Sequence, residues 1–219
     1  MALLEDEIES YFDRLFPINR SITGKGFQDS LDIIREIIPL EKINFNSGEQ
    51  CFDWTIPDEW NINDAYIITP DGKKIAEFKV NNLHVVSYSV PIDKEINLDE
   101  LREHLHTIED KPHAIPYVTS YYFRAWGFCL THDEYSSLKE GMYRVYIDSE
   151  IKPGKLTIGM LTLPGKSDKE ILISTYLCHP SMAVNELSGP LVTAFLYKKL
   201  KKCQQLEHTV RFVFVPENI

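Results

Sequence analysis

The chain has 219 residues, 43% hydrophobic and 26% charged, enough for a packed core in one large domain or two modest ones. Its 23 basic and 33 acidic side chains leave a formal net charge of -10, which argues against the basic face of a nucleic-acid binder. No apolar run approaches the ~18 residues of a membrane-spanning helix, and the acidic start MALLEDEIES lacks the basic region of a signal peptide. The cysteines Cys51, Cys129, Cys178 and Cys203 are scattered and form no CxxC pair. Disulfides are therefore not expected, and a reducing cytoplasm is the expected location. Nothing in these totals bears on oligomeric state.

Residues 3–16 place Leu4, Ile8, Tyr11, Phe12 and Leu15 at helical spacing, with acids on the other face, and Phe16-Pro17 ends the run. A polar connector, Asn19 to Gly24, follows. Thr23 is the expected N-cap of a second helix over 25–38, with Phe27, Leu31, Ile34 and Ile38 on its apolar face. Arg20 has two readings, solvent or cap duty, or a guanidinium pointing into a cleft to meet a substrate carboxylate.

Residues 41–46 alternate and read as a strand, followed by a Ser47-Gly48 turn. The composition then shifts toward Trp, Tyr, Ile, Val and turn pairs. Asp71-Gly72 lies between two apolar runs, a hairpin signal. Residues 83–90 read as a strand, and 98–108 as a short helix capped by Asn97. The stretch from Tyr117 to Phe128 is aromatic, and is either core or ligand-facing. This block, 48–136, is expected to be a β-rich module inserted into an α/β scaffold made of 1–47 and 137–219.

The scaffold is expected to resume with strands at 143–147 and 155–163. The apolar run 171–177 reads as a buried strand that stops at Cys178-His179-Pro180. A polar loop ending in Asn185-Glu186 leads to Ser188-Gly189-Pro190, the start of an amphipathic helix with lysines at its end. Residues 208–215 form one more buried strand, and Glu217 lies at its carboxyl end. Two parallel strands and one crossover helix do not complete a doubly wound sheet, so the chain is expected to be part of a longer protein.

In an open α/β sheet, ligands bind at the carboxyl ends of strands. His179, Asn185, Glu186 and Glu217 all fall there. Zinc takes imidazole nitrogen and carboxylate oxygen. A glutamate beside activated water can take its proton and pass it to a leaving amine. The same residues also suit plainer roles. His179 can be a hydrogen-bonded turn histidine, Asn185-Glu186 a helix-entry cap, and Glu217 a solvated strand end. On spacing alone both readings stay open.

The stretch from Lys155 to Ile219 resembles the zinc aminopeptidase-like superfamily. There, one strand ends in a metal-binding His, a loop carries Asp-x-x-Ser-Gly, and a later strand ends in Glu-Glu-x-Gly. His179 matches the first, Asn185-Glu186-Leu187-Ser188-Gly189 the second, and Glu217-Asn218-Ile219 the start of the third. More closely, FPINRSITG, FDWTIPDEWNI, NNLHVVSYSVP, IPYVTSYY, WGFCLTHDEY and STYLCHPSMAVNELSGP resemble an uncharacterised bacterial aminopeptidase-like family, often associated with polysaccharide-biosynthesis loci. The resemblance implies a partial α/β three-layer sheet domain of the phosphorylase/hydrolase-like kind, with an inserted β-rich domain. It also implies zinc as cofactor, as one ion or two, and a small peptide or other amide as substrate. His179, Glu186 and Asn185 are then the metal ligands, Glu217 the catalytic base and Arg20 a substrate contact. Three positions depart from the superfamily. Asn185 stands at the bridging Asp, Asn218 at the second Glu, and Ser181 at the Asp that orients the histidine. These departures keep a second expectation in play, a non-hydrolytic carbohydrate- or peptide-binding protein on the same scaffold.

Overall fold

The computed structural model describes residues 2–216. The chain forms two compact units, one made of residues 1–59 with 153–219 and the other of residues 60–152.

Among the described residues, the first unit is built on a four-stranded sheet and three α-helices. The sheet order is Glu41–Asn46, Lys155–Leu163, Leu206–Val215, Gly165–Tyr176. The first two pairings are antiparallel and the last is parallel. The parallel pair is joined by the helix Ser188–Leu200, the crossover that such a pair requires. Along Leu206–Val215 the side chains alternate, so Val210, Phe212 and Phe214 share one buried face. The helices close over that face. Leu15 from Ala2–Leu15, Phe27, Leu31 and Ile34 from Lys25–Ile37, and Leu191, Ala194 and Tyr197 from Ser188–Leu200 join the same core. The amphipathic spacing of the helices is what makes this possible, since each presents one apolar stripe.

Three local expectations give way here. Thr23 does not cap the second helix. Gly24 holds the cap position with a φ of 98°, and the Thr23 hydroxyl donates to the carbonyl of Asp58 at 3.3 Å. A positive φ of that kind suits glycine, so the backbone conformation displaces the threonine from capping. The run 171–177 is buried only at its end. Ile171 and Leu172 are 48% and 64% exposed while Leu177 is fully buried. Their strand is the last in the sheet among the described residues, with a hydrogen-bonded neighbour on one side. Finally, Ser188–Leu200 is preceded by a wide π-helical turn, Ala183–Leu187, where a loop was expected.

The second unit contains a sheet of order Lys74–Ile75, Glu59–Ile68, Met142–Lys152, Ile92–Asn97. Its core gathers Ile67, Ile96, Leu101, Phe128, Tyr143, Val145 and Ile147. The strand containing residues 143–147, expected in the scaffold, pairs antiparallel with Ile92–Asn97 and lies in this unit. The Asp71-Gly72 turn closes the expected hairpin, with Gly72 at a φ of 81°. Asn97 caps Leu98–Arg102 as expected, accepting from the Glu100 N–H at 2.9 Å. That helix stops early, because Leu105 and His106 pair in parallel with Phe128 and Cys129. Residues 83–90 are not a strand. A single 3-10 turn, Asn82–His84, gives way to bridges from Val85 to Phe128 and from Ser87 to Thr119. Tyr88 there has a φ of 68°, which no strand accommodates.

The short helix His132–Ser136 opens with a reciprocal cap. The Thr131 hydroxyl accepts from the Glu134 N–H at 3.2 Å, and Glu134 accepts from the Thr131 N–H at 3.1 Å. Thr131→Ala is expected to cost about 0.5–2 kcal/mol. The loss is read as faster amide exchange over residues 132–136, with the first unit's exchange unchanged.

The point where the chain leaves the first unit lies beside the point where it returns. The Lys155 N–H donates to Glu59 Oε2 at 3.4 Å, and a Cβ built on Gly154 would fall 2.5 Å from the Glu59 side chain.

Candidate metal centre

The parallel pair brings two carboxyl ends to the same edge of the sheet. Tyr176 stands opposite Val215, and the Leu177 N–H extends the pairing to the Val215 carbonyl at 3.1 Å. Cys178 and His179 follow directly, both buried. Ser181, at a φ of 50°, reverses the chain. The wide turn Ala183–Leu187 then points Val184 and Asn185 outward and Glu186 inward, fully buried. Helix Ser188–Leu200 starts tight against the strand, since a Cβ on Gly189 would meet Thr175 Oγ1 at 2.4 Å. Strand end, turn and helix start are thus fixed against one another, and His179 and Glu186 meet across the loop.

The Glu186 carboxylate is held by consecutive residues. The Cys178 N–H donates to Oε2 at 2.7 Å, and His179 Nδ1 is hydrogen-bonded to Oε1. The Cys178 thiol lies 3.5 Å from the same ring nitrogen. Tyr176 meets the imidazole edge-on, with ring centroids 6.4 Å apart.

Arg20 enters from the opposite end of the sequence. Its side chain is fully buried, with Nε donating to the His179 carbonyl at 3.1 Å and Nη1 to the Leu15 carbonyl at 2.6 Å. Among the described residues, its Nη2 has no hydrogen-bond partner. Burial pushes the guanidinium down to about 10, opposed by the negative charge of Glu186 and by Cys178. Arg20 therefore stays a cation at neutral pH, the counter-charge for a buried carboxylate. The cleft-facing orientation read from the sequence does not match this position.

The ligating atoms of Cys178, His179 and Glu186 lie within 4.8 Å of one another. Thiol sulfur, imidazole nitrogen and carboxylate oxygen are the donors that zinc takes, so the set fits such an ion. Asn185, expected among the ligands, is exposed. Glu217 and Asn218 lie outside the described residues. Cys178 was not singled out from the sequence, although its place next to His179 just beyond a strand end was a usable signal.

Comparison with known proteins agrees with this architecture. The family described as "Domain of unknown function (DUF4910)" matches residues 10–219. A Clostridium acetobutylicum protein named for polysaccharide biosynthesis and an aminopeptidase-like domain is 48% identical over 213 residues. That match covers 97% of this chain and 49% of the relative, so the chain spans about half the relative's length. A crystal structure of a protein from the same organism, named as a peptidase, superposes with a TM-score of 0.93 at 48% identity, covering 97% of this chain and 50% of that one. A peptidase M28 precursor of Shewanella amazonensis gives a TM-score of 0.62 at 12% identity, covering 98% of this chain and 63% of that one. A zinc aminopeptidase of Bacillus subtilis gives 0.53 at 10% identity, covering 94% and 61%. At such identities the last two speak for the fold alone. The chain belongs to the DUF4910 family, and its fold is the α/β fold of the aminopeptidase-like proteins.

Proposed function

We propose that this chain carries part of the metal centre of an aminopeptidase-like hydrolase that cleaves an amide or peptide bond. The observation that carries the reading is the buried Cys178, His179 and Glu186 cluster beyond the end of a parallel strand. His179 would hold zinc, with Asn185 and Glu186 the further donors nominated by the sequence. When bound, zinc supplies Lewis-acid polarisation of the amide carbonyl and a water of lowered pKa. Glu217 would take the proton of the attacking water and return it to the leaving amine. The names of the Clostridium acetobutylicum relatives support a peptidase-like activity in a polysaccharide-biosynthesis setting. The cytoplasm is the proposed location, since Cys51, Cys129, Cys178 and Cys203 are all free thiols.

Zinc content after loading and dialysis tests this. The unaltered chain is expected to retain zinc, and His179→Ala to lose it. Equal zinc in both overturns the assignment. Glu217→Gln is expected to keep zinc and abolish hydrolysis of aminoacyl-anilide probes by the longer protein.

One observation favours a second reading, ligand binding without hydrolysis. Tyr122 and Phe123 in the second unit are 58% and 76% exposed, next to Tyr117 and Tyr121, whose hydroxyls lie 3.0 Å apart. Exposed aromatic rings of this kind suit sugar faces. Oligosaccharide binding that survives Glu217→Gln, with no amide hydrolysis by the unaltered protein, would favour it.

A further inference from the structure

His179 is fastened at two points by residues far apart in the chain. Arg20, 159 positions away, donates to its carbonyl, and Glu186 engages its ring. The protonation pattern follows from the partners. Glu186 Oε2 accepts from a backbone N–H, which can only donate. Of a carboxyl group and an imidazole sharing one proton, the carboxyl is ordinarily the stronger acid, and a carboxylate oxygen then accepts only. The proton between Oε1 and Nδ1 therefore sits on the imidazole. In the neutral ring that leaves Nε2 as the nitrogen with a lone pair.

We propose that Glu186 and Arg20 are positioning residues that fix His179 as its Nδ1–H tautomer and aim it, so that Nε2 is the atom offered to the metal. The proposal rests on His179 being a ligand, and it reassigns Glu186. Both oxygens of that carboxylate are already engaged, by Cys178 and by His179. Glu186 thus acts on the metal through the histidine, as a carboxylate behind a ligating imidazole does. The Cys178 thiol, at 3.5 Å, is the weaker partner for Nδ1. Arg20 does two things at once. It holds the main chain of His179 in place, and it brings a positive charge near Glu186.

The test uses the chain with ¹⁵N-labelled histidine and no metal. Long-range ¹H–¹⁵N correlations at neutral pH read the tautomer of His179, assigned by the signals missing from His179→Gln. The expected result is the Nδ1–H form. The Nε2–H form in the unaltered chain overturns the proposal without any further variant. Zinc affinity is then measured by competition with a chromogenic chelator. Glu186→Leu, shown to be folded by its amide fingerprint, is expected to bind about 10–100-fold more weakly and to lose the Nδ1–H signature. Unchanged affinity in the folded variant also overturns the proposal. The Nδ1–H form with no zinc uptake by the unaltered chain supports the clamp and sinks the metal reading, which separates the two.

Discussion

Arg20→Met is expected to destabilise the first unit by about 2–6 kcal/mol, since it leaves two buried backbone carbonyls without their donors at about 1–3 kcal/mol each. The substitution roughly keeps side-chain length, so packing changes little. What it removes is the cation facing a carboxylate with no solvent exposure, and the donors to the Leu15 and His179 carbonyls. Glu186 keeps its contacts with the Cys178 N–H and His179 Nδ1 but loses the nearby cation. With a urea slope of about 2 kcal/mol/M, the unfolding midpoint should fall by about 2 M. Adding Glu186→Met to Arg20→Met is expected to cost less than the sum of the two single variants, because the two side chains lie close enough to interact electrostatically. A double variant as unstable as the sum of the two single variants would show that the charges do not interact. The assay also separates the charge from the carbonyl contacts. Arg20→Lys keeps the former and only part of the latter, so it should fall between the two.

Phe212→Ala is expected to cost about 3–5 kcal/mol, the range for truncating a buried aromatic. Phe212 has no exposed surface, sits in an inner strand, and meets the Tyr197 ring edge-on at 5.7 Å. Val210 and Phe214 flank it on the same face, and helices cover it, so the cavity cannot be filled by a small shift. Leu172 on the last strand of the same sheet is the internal control. It is 64% exposed, and Leu172→Ala should stay within about 0.5 kcal/mol. Denaturant unfolding of the two variants, side by side, measures the difference between an inner and an outer strand.

Much of the first unit was legible because its patterns are local. Leu4, Ile8, Tyr11, Phe12 and Leu15 repeat at helical spacing, and the apolar run 208–215 reads as a strand, which the structure buries on one face. Several of the misses share one cause, contacts between residues far apart in sequence. Leu98, Leu101, Leu105 and Ile108 keep helical spacing, but the His104 carbonyl accepts from the Phe128 N–H and the chain turns into a strand. The alternation at 143–147 is genuine, yet period alone does not say which sheet a strand joins. The site divides in the same way. His179 and Glu186 lie seven positions apart on either side of a turn, close enough for spacing to pair them. Arg20 stood out as an odd residue, but its inward direction did not, since a guanidinium is almost never fully buried without partners. Its partners are backbone carbonyls and a distant carboxylate, which no local pattern announces.

The closeness of Glu59 to Gly154 and Lys155 bears on how the chain reaches this fold. The strand Glu41–Asn46 pairs with Lys155–Leu163, so the entire second unit lies in the loop that this pairing must close. Closing a long flexible loop costs entropy that grows with its length, by about 0.6 kcal/mol per doubling. If residues 60–152 fold first, their ends are already neighbours and the loop left to close is residues 47–59 on one side and 153–154 on the other. The second unit then serves as a splint for the sheet of the first. Contacts within the splint should appear early in refolding, and the pairing of Glu41–Asn46 with Lys155–Leu163 should slow when the splint is destabilised.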